Sequence, residues 1–216
     1  ACLLLPFLLN ASLEQNFKKM NMQNGLAGNS VYSIFKDKDG FIWFGTGDGL
    51  SRYDGRRITN FERSRSYPSI SNLKEVFDGV LAFVDNGVFS AFDLKKERFL
   101  SVVSSSGQGI PSRGMLQRND SLVWVISGSE LHLMKRCASK EGELRLRVEE
   151  KYTGWDNQDN LLVAITYSSD KKSICLIDEK GRIILLDATN LSFFRVIDLG
   201  RTGSLSVNSV LYDDGR

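Results

Sequence analysis

The chain has 216 residues, enough for one large domain or two small ones. With 42% hydrophobic and 25% charged residues, its composition is that of a globular protein with a core, which excludes a disordered chain. The net charge of +2, from 28 basic and 26 acidic residues, gives no electrostatic argument for nucleic-acid binding through this region. Two local basic groups, at 52–57 and 63–65, are interpreted as solvated edges.

The chain begins with an apolar run, residues 1–9, that is too short to span a bilayer and is followed by small and polar residues. This order is typical of an export signal near its cleavage site. We therefore interpret residues 1–15 as the remnant of a signal peptide and residues 16–28 as a linker, with a buried first strand as the alternative. Export predicts a protein outside the cytoplasm. No later segment has the length and apolarity of a transmembrane helix.

The next segment, residues 29–62, predicts four short strands joined by turns. The strands are expected at 31–35, 41–46, 50–54 and 58–61. The second strand is almost continuously apolar, which indicates burial on both faces, and the turns are rich in Asp and Gly. This pattern predicts one antiparallel four-stranded meander.

The same order of strands and turns recurs along the chain. The units are expected at about 29–62, 70–103, 110–150 and 158–200, and a fifth unit begins at 204–216. The second strands place Trp43, Ala82, Trp124 and Cys175 at equivalent positions, spaced 39, 42 and 51 residues apart. A period of about 40 to 50 residues with four strands per unit is typical of β-propeller blades, which must stack around an axis to bury their faces.

The predicted fold class is therefore all-β. We expect an incomplete β-propeller with four-stranded antiparallel blades, about four of them, plus the start of a fifth. Strands are expected to pair within each unit. We also expect the isolated chain to be poorly soluble, because an open stack of blades exposes the faces of its two end sheets.

The first unit carries a distinctive set of residues: Asp39, Gly40, Trp43, Gly45, Thr46, Gly49, Leu50, Tyr53 and Asp54. This set resembles the two-component regulator propeller repeat, in which D-x-x-G-x-hydrophobic-W-x-G-T leads to G-L-x-x-Y/F-D. The pattern is weaker in the later units. Trp124 repeats the tryptophan in the third unit, whereas Ala82 and Cys175 replace it in the second and fourth.

The resemblance implies the periplasmic sensor region of a Bacteroidetes hybrid two-component system histidine kinase, in an exported protein anchored to the inner membrane. Members of that family mostly sense oligosaccharides and signal to a kinase across the membrane. The implied partners are an oligosaccharide, the remaining blades and kinase domains of the same polypeptide, and a second copy in a homodimer. No cofactor and no catalytic activity are expected of this region. A propeller-type polysaccharide lyase or glycosidase, and a non-catalytic protein-interaction propeller, are the alternatives.

One polar loop, residues 152–160, is a candidate ligand site. It contains Trp155, Asp156, Asn157 and Asp159. An aromatic ring there can stack on a sugar ring while carboxylates and amides bind its hydroxyls, although the composition also suits an ordinary surface loop. Trp43 and Trp124, which lie in apolar strands, are interpreted as packing between blades.

Other residues that suggest chemistry have simpler interpretations. Residues 37–40 resemble the opening of a calcium loop, but an apolar strand follows where further ligands are needed, so we interpret them as a hairpin turn. His132, the single histidine, has no nucleophile motif that predicts a triad. Cys137 and Cys175 are interpreted as small hydrophobic residues, since a disulfide is allowed in an exported protein but nothing in their spacing requires one. No metal site is predicted.

Overall fold

The computed structural model describes residues 19–62, 69–153 and 160–198. In these ranges the chain forms sixteen β-strands and one short 3-10 turn, Met22–Asn24. None of its helical segments there has the length and apolarity needed to cross a bilayer. The strands form four groups of four, and in each group successive strands pair antiparallel in chain order. The predicted all-β class with four-stranded antiparallel units is confirmed.

The four units are called blades 1 to 4. Blade 1 contains β1 (Val31–Lys36), β2 (Ile42–Thr46), β3 (Leu50–Tyr53) and β4 (Ile58–Phe61). Blade 2 contains β5 (Ile70–Phe77), β6 (Val80–Asp85), β7 (Val88–Asp93) and β8 (Arg98–Ser104). Blade 3 contains β9 (Gly114–Gln117), β10 (Leu122–Ser127), β11 (Glu130–Cys137) and β12 (Glu143–Tyr152). Blade 4 contains β13 (Leu162–Tyr167), β14 (Ser173–Asp178), β15 (Arg182–Asp187) and β16 (Phe193–Asp198).

The turns that join the third and fourth strands are organised by an aspartate in three of the blades. Asp54, Asp93 and Asp187 occupy the same place, and the Oδ1 atom of each accepts hydrogen bonds from two backbone N–H groups that follow it, at 2.6–3.0 Å. A short carboxylate side chain that binds its own backbone in this way reverses the chain. Asp54, at the end of the sequence motif, therefore stabilises the turn between β3 and β4.

Three hydrophobic cores lie between successive blades. The core between blades 1 and 2 contains Trp43, the core between blades 2 and 3 contains Ala82, and the core between blades 3 and 4 contains Trp124. These residues and Cys175 each stand three residues before the end of the second strand, and each is at most 2% exposed. The equivalence of these four positions and the packing interpretation of the two tryptophans are confirmed.

The end blades carry exposed hydrophobic side chains. In blade 1, Ile34 is 64% exposed and Tyr32 is 38% exposed, while in blade 4 Phe193 is 50% exposed. Exposed apolar surface of this kind favours association with further protein. Low solubility of the isolated chain stays a prediction.

Strands pair within each unit as expected, and one further pairing crosses from one unit to the next. β8 and β12 pair in parallel over four residue pairs, from Ser101↔Glu143 to Ser104↔Leu146, and join blades 2 and 3 into one eight-stranded sheet. The cause lies in the connection after β8. The edge of β7 is occupied by the returning chain, because Phe89 N–H donates to Ile110 O at 2.8 Å and Ser112 N–H donates to Gly87 O at 2.8 Å. β8 therefore leaves β7 after Leu100 and bonds to β12.

Candidate ligand-binding site

The meander places the connections at two opposite edges of the blades. The turn edge carries the turns between the first and second strands and between the third and fourth strands. The loop edge carries the turns between the second and third strands and the connections from one blade to the next. Because strands alternate in direction, every blade contributes two turns to the turn edge.

The predicted ligand residues Trp155, Asp156, Asn157 and Asp159 lie outside the described residues. The chain on both sides of them lies at the loop edge. Leu162 N–H donates to Gly128 O at 3.0 Å, and Glu179 N–H donates to Leu161 O at 2.9 Å, which holds the start of β13 beside two turns of that edge. Tyr152, at the end of β12, packs edge-on against Trp124 with ring centroids 5.8 Å apart. The assignment of a ligand site to this loop stays a prediction.

A cleft of about 530 Å³ opens at the turn edge between blades 3 and 4. Its lining is mostly polar: Gln117, Arg118, Asn119, Tyr167, Lys171, Ala188 and Thr189. Two of these residues are cations and none is a carboxylate. Sequence reasoning missed this cleft because its residues come from three separate turns, none of which carries a motif.

The tryptophans of blades 1 and 3 meet different residues at the turn edge. Trp43 pairs with Phe35 and Trp124 pairs with Leu116, so Asp37 and Arg118, each two residues further on, occupy equivalent positions. Their backbones confirm the equivalence, because Asp37 N–H donates to Phe41 O and Arg118 N–H to Leu122 O, both at 3.0 Å.

In blade 1 the indole N–H is satisfied by a carboxylate. Trp43 Nε1 donates to Asp37 Oδ2 at 2.7 Å, and Asp37 Oδ1 also accepts the N–H groups of Asp39 and Phe41 at 3.0 and 2.9 Å. These bonds fix the turn at residues 37–40. Our interpretation of this segment as a hairpin turn therefore agrees with the contacts that the structure shows.

The boundary between blades 1 and 2 is closed at the turn edge by ion pairs. Lys38 and Lys95, from successive blades, both bind the carboxylate of Asp78, with Lys95 Nζ at 3.1 Å. The hydrogen bond from Lys38, followed by that from Lys95, lowers the pKa of Asp78 to about 2. Arg52 Nη1 lies 2.6 Å from Glu97 Oε1, and the guanidinium stacks over the ring of Phe41 with a centroid distance of 4.7 Å.

A smaller cleft of about 310 Å³ lies between blades 2 and 3. Glu141 lies in it, with Lys96 Nζ at 2.8 Å and Arg98 Nη2 at 2.9 Å from Oε1. The hydrogen bond from Lys96 is the main reason why the pKa of Glu141 is lowered. Lys140 Nζ lies 3.8 Å from Glu143 Oε2, and Arg136 lies over the ring of Phe77. Because three of its four cations are paired with carboxylates of the same cleft, this cleft has less unpaired charge to offer a ligand than the one between blades 3 and 4.

The histidine and the two described cysteines, whose side chains could take part in chemistry, lie apart from these clefts. His132 Nε2 is 2.5 Å from Glu130 Oε2, and Lys151 Nζ is 3.5 Å from the same oxygen, an arrangement that links the start of β11 to the end of β12. Cys137 and Cys175 are both free thiols. Burial raises the pKa of the Cys175 thiol to about 11. Within the described ranges, no group of three or more His, Cys, Asp and Glu residues is placed to hold a metal ion.

The sequence profile of the family described as two component regulator propeller matches residues 25–48, which contain β1, the Asp37 turn and β2. The first blade contains a two-component regulator propeller repeat. The predicted resemblance is thereby confirmed for this blade. Among curated proteins, no sequence matches the chain.

Solved structures with similar folds include the extracellular domain of a hybrid two-component system from B. thetaiotaomicron, with a TM-score of 0.59 and 17% identity over 83% of this chain and 26% of that one. A second such extracellular domain from B. thetaiotaomicron has a TM-score of 0.58 and 15% identity over 79% and 25%. The WD40 β-propeller domain of Doa1 has a TM-score of 0.57 and 16% identity over 82% and 55%.

These likenesses show the fold, which is that of a β-propeller, as predicted. An incomplete propeller is consistent with them. The chain spans about a quarter of the length of the two extracellular domains it resembles.

Proposed function

We propose that the chain is part of an extracytoplasmic sensor that recognises an oligosaccharide and transmits a conformational change to a histidine kinase. The observation that carries this proposal is the two-component regulator propeller repeat at residues 25–48 in a chain of stacked blades. The similarity in fold to extracellular domains of hybrid two-component systems supports it. On this proposal the protein is periplasmic, and its partners are the remaining blades, the kinase domains of the same polypeptide and a second copy.

The architecture suits a sensor that does no chemistry of its own. Clefts at the turn edge lie where two blades meet, so a ligand bound there contacts residues from both blades at once. Such a ligand favours the arrangement of blades and domains in which those contacts are best. A signal then arises only if the ligand binds two states of the protein with different affinities.

The proposal is tested by titrating the intact protein with a panel of neutral and acidic oligosaccharides by isothermal calorimetry. We expect at least one member to bind, and X-ray scattering to show a change in domain arrangement when it does. A panel that includes plant and host glycans and gives neither binding nor a change in scattering would contradict the proposal. Cleavage of a bound glycan during the titration would instead favour a lyase or glycosidase.

A further inference from the structure

The cleft between blades 3 and 4 differs from the other blade boundaries in its charge. Arg118 and Lys171 reach it from the turns of two neighbouring blades, and no lining residue is acidic. Asp120, in the turn of blade 3, is exposed and does not line the cleft, and two acidic groups of the blade 4 turns are engaged by backbone and hydroxyl groups. Asp187 accepts the N–H groups of Thr189 and Asn190 at 2.8 and 3.0 Å, and Asp170 accepts the hydroxyl of Ser168 at 2.7 Å.

A buried donor without an acceptor lies beside this cleft. Trp124 is 0% exposed, and among the described residues its Nε1 atom has no hydrogen-bond partner. A buried polar group left in this state costs free energy, so it calls for an explanation. In blade 1 the equivalent N–H is satisfied by Asp37. In blade 3 a cation, Arg118, stands at that position, and its guanidinium carbon lies 5.0 Å from the centre of the Trp124 ring.

Tyr167 connects the indole to the cleft. It lines the cleft and packs on the core that contains Trp124. Burial raises the pKa of its phenol, and Trp124 and the charge of Arg118 oppose that shift. Arg118 and Tyr167 therefore both line the cleft and both lie against the core that contains Trp124.

We propose that this cleft binds the carboxylate or sulfate group of an acidic oligosaccharide. The inference deepens the proposed sensor function and rests on it. Arg118 and Lys171 supply charge-assisted donors to the anion, which are the stronger kind of hydrogen bond. Held by Arg118 and Tyr167, the anion would lie close to the Trp124 ring, over which the guanidinium stands.

The rest of the lining suits the sugar part of such a ligand. Gln117, Asn119 and Thr189 offer amide and hydroxyl groups to sugar hydroxyls, and the phenol ring of Tyr167 offers an apolar face. The volume of about 530 Å³ is within the ordinary range of small-molecule sites, roughly 300 to 1,000 Å³. An inorganic anion would leave most of this lining unused, which favours a saccharide as the ligand.

The test is calorimetric titration of the intact protein with α-1,4-linked trigalacturonate, its fully methyl-esterified neutral form, a sulfated disaccharide and inorganic sulfate. We expect one of the two acidic saccharides to bind at least about tenfold more tightly than the neutral ester and than inorganic sulfate, since one charge-assisted bond is worth about that factor or more. Which acidic saccharide binds distinguishes a carboxylate ligand from a sulfate ligand.

Variants locate the site. Arg118→Gln and Lys171→Gln should each weaken binding of the acidic saccharide about tenfold or more. Lys135→Gln, which removes an exposed cation from β11 in the same blade, should leave its affinity within about twofold, in line with the small effect of a screened surface charge. Thermal unfolding of each variant checks that the fold is retained.

The outcomes separate the two proposals. If neutral saccharides bind and acidic ones do not, or if acidic saccharides bind equally well to the Arg118 and Lys171 variants, the inference is overturned and the sensor proposal stands. Inorganic sulfate that binds as tightly as the acidic saccharide overturns the assignment of a sugar ligand. If no saccharide of any kind binds, the sensor proposal fails, and the inference fails with it.

Discussion

Two boundaries between blades use the same tryptophan position for different purposes. Between blades 1 and 2, Trp43 is held by Asp37 and sits in a core rich in aromatic rings, with Phe61 and Phe92 at centroid distances of 5.6 and 5.5 Å. Ion pairs from successive blades close the turn edge above it. Between blades 3 and 4, Trp124 lies in a mostly aliphatic core with Tyr152 at a centroid distance of 5.8 Å, and the turn edge above it is an open basic cleft.

This difference follows from a single position in the turn. In blade 1, Asp37 accepts the hydrogen bond of the Trp43 indole N–H and also holds its own turn. The polar groups there therefore stabilise the fold. Arg118 does neither, because it donates rather than accepts. The fold tolerates the exchange since the interblade core, which lies below the turn, remains closed. Function in repeat proteins often arises in this way, by local departure from the repeat on a preserved scaffold.

The largest effect is expected from Gly45, which lies two residues after Trp43. A Cβ atom on Gly45 would meet Ile70 O, at the start of blade 2, at 2.3 Å. Because that neighbour is backbone, Gly45→Ala should force the two blades apart and lower the free energy of unfolding by about 3 kcal/mol, the upper part of the range for overpacked cores. Denaturant unfolding measures this change.

Gly109→Ala is the matched control, because its Cβ atom would meet Val88 Cγ1 at an ordinary 3.8 Å. We expect it to change the free energy of unfolding by less than about 0.5 kcal/mol, as surface substitutions usually do. Equal stabilities of the two variants would show that blades 1 and 2 are not in the close contact described here.

A smaller effect should distinguish the two tryptophans. Trp43→Phe and Trp124→Phe remove similar volumes from buried sites, but only Trp43→Phe also removes a donor from the buried carboxylate of Asp37. We therefore expect Trp43→Phe to be the more destabilising variant by about 1 to 3 kcal/mol, the cost of leaving a buried polar group short of a partner. Urea unfolding of both variants measures the difference.

A double-mutant cycle of Asp37→Asn and Trp43→Phe checks the cause. It should return a favourable coupling energy, whereas the cycle of Arg118→Gln and Trp124→Phe should return a much smaller one. Equal destabilisation by the two Trp→Phe variants would remove the distinction between the two boundaries.

The smallest expected effect is a loss of stability at low pH, when Asp78 becomes protonated. The pKa of Asp78 in the folded protein is about 2, below its ordinary value of 3.8, because Lys38 and Lys95 bind its ionised form. A carboxyl group with a lowered pKa stabilises the fold above its ordinary pKa, and that contribution disappears as pH falls through the folded value. The boundary between blades 1 and 2 should therefore lose this contribution between about pH 4 and pH 2.

An NMR titration of the Asp78 carboxyl carbon measures the pKa directly. Asp78→Asn should remove this part of the acid sensitivity, and Asp120→Asn, in an exposed turn of blade 3, serves as the control. Because Asp78 and Lys95 are both exposed, added salt should weaken the effect. An Asp78 midpoint near 4 at low salt would show that the cross-blade ion pairs do not form.

Much of the fold could be predicted from the sequence because the repeat places the same chemistry at the same spacing. The apolar second strands and the Asp and Gly turns of blade 1 predicted its meander, and the motif predicted the repeat that the family profile matches. β9 was not among the predicted strands, since Gly114–Gln117 is short and contains no alternation. The pairing of β8 with β12 depends on where the connection at 110–112 returns, which no local pattern shows.

The candidate site was less accessible to sequence reasoning. A polar loop with a tryptophan, residues 152–160, has the composition of a sugar site, but composition cannot show which side chains converge. The basic cleft at the turn edge combines Arg118, Tyr167 and Lys171, which are up to 53 residues apart in the chain. One signal was present in the sequence. When the first and third units are aligned by their tryptophans, Asp37 of the first corresponds to Arg118 of the third. A basic residue in place of an acidic one beside a buried indole indicates that this turn position has a different role in the third unit.

The most direct test of this account is fluorine NMR of the chain labelled with 5-fluorotryptophan, with the three resonances assigned by Trp→Phe variants. We predict that trigalacturonate or the sulfated disaccharide shifts the Trp124 resonance and leaves that of Trp43 unchanged. In Arg118→Asp, which restores a carboxylate at the position of Asp37, the Trp124 resonance should no longer respond. The account would be contradicted if neither acidic saccharide shifted the Trp124 resonance, or if an acidic saccharide still shifted it in Arg118→Asp.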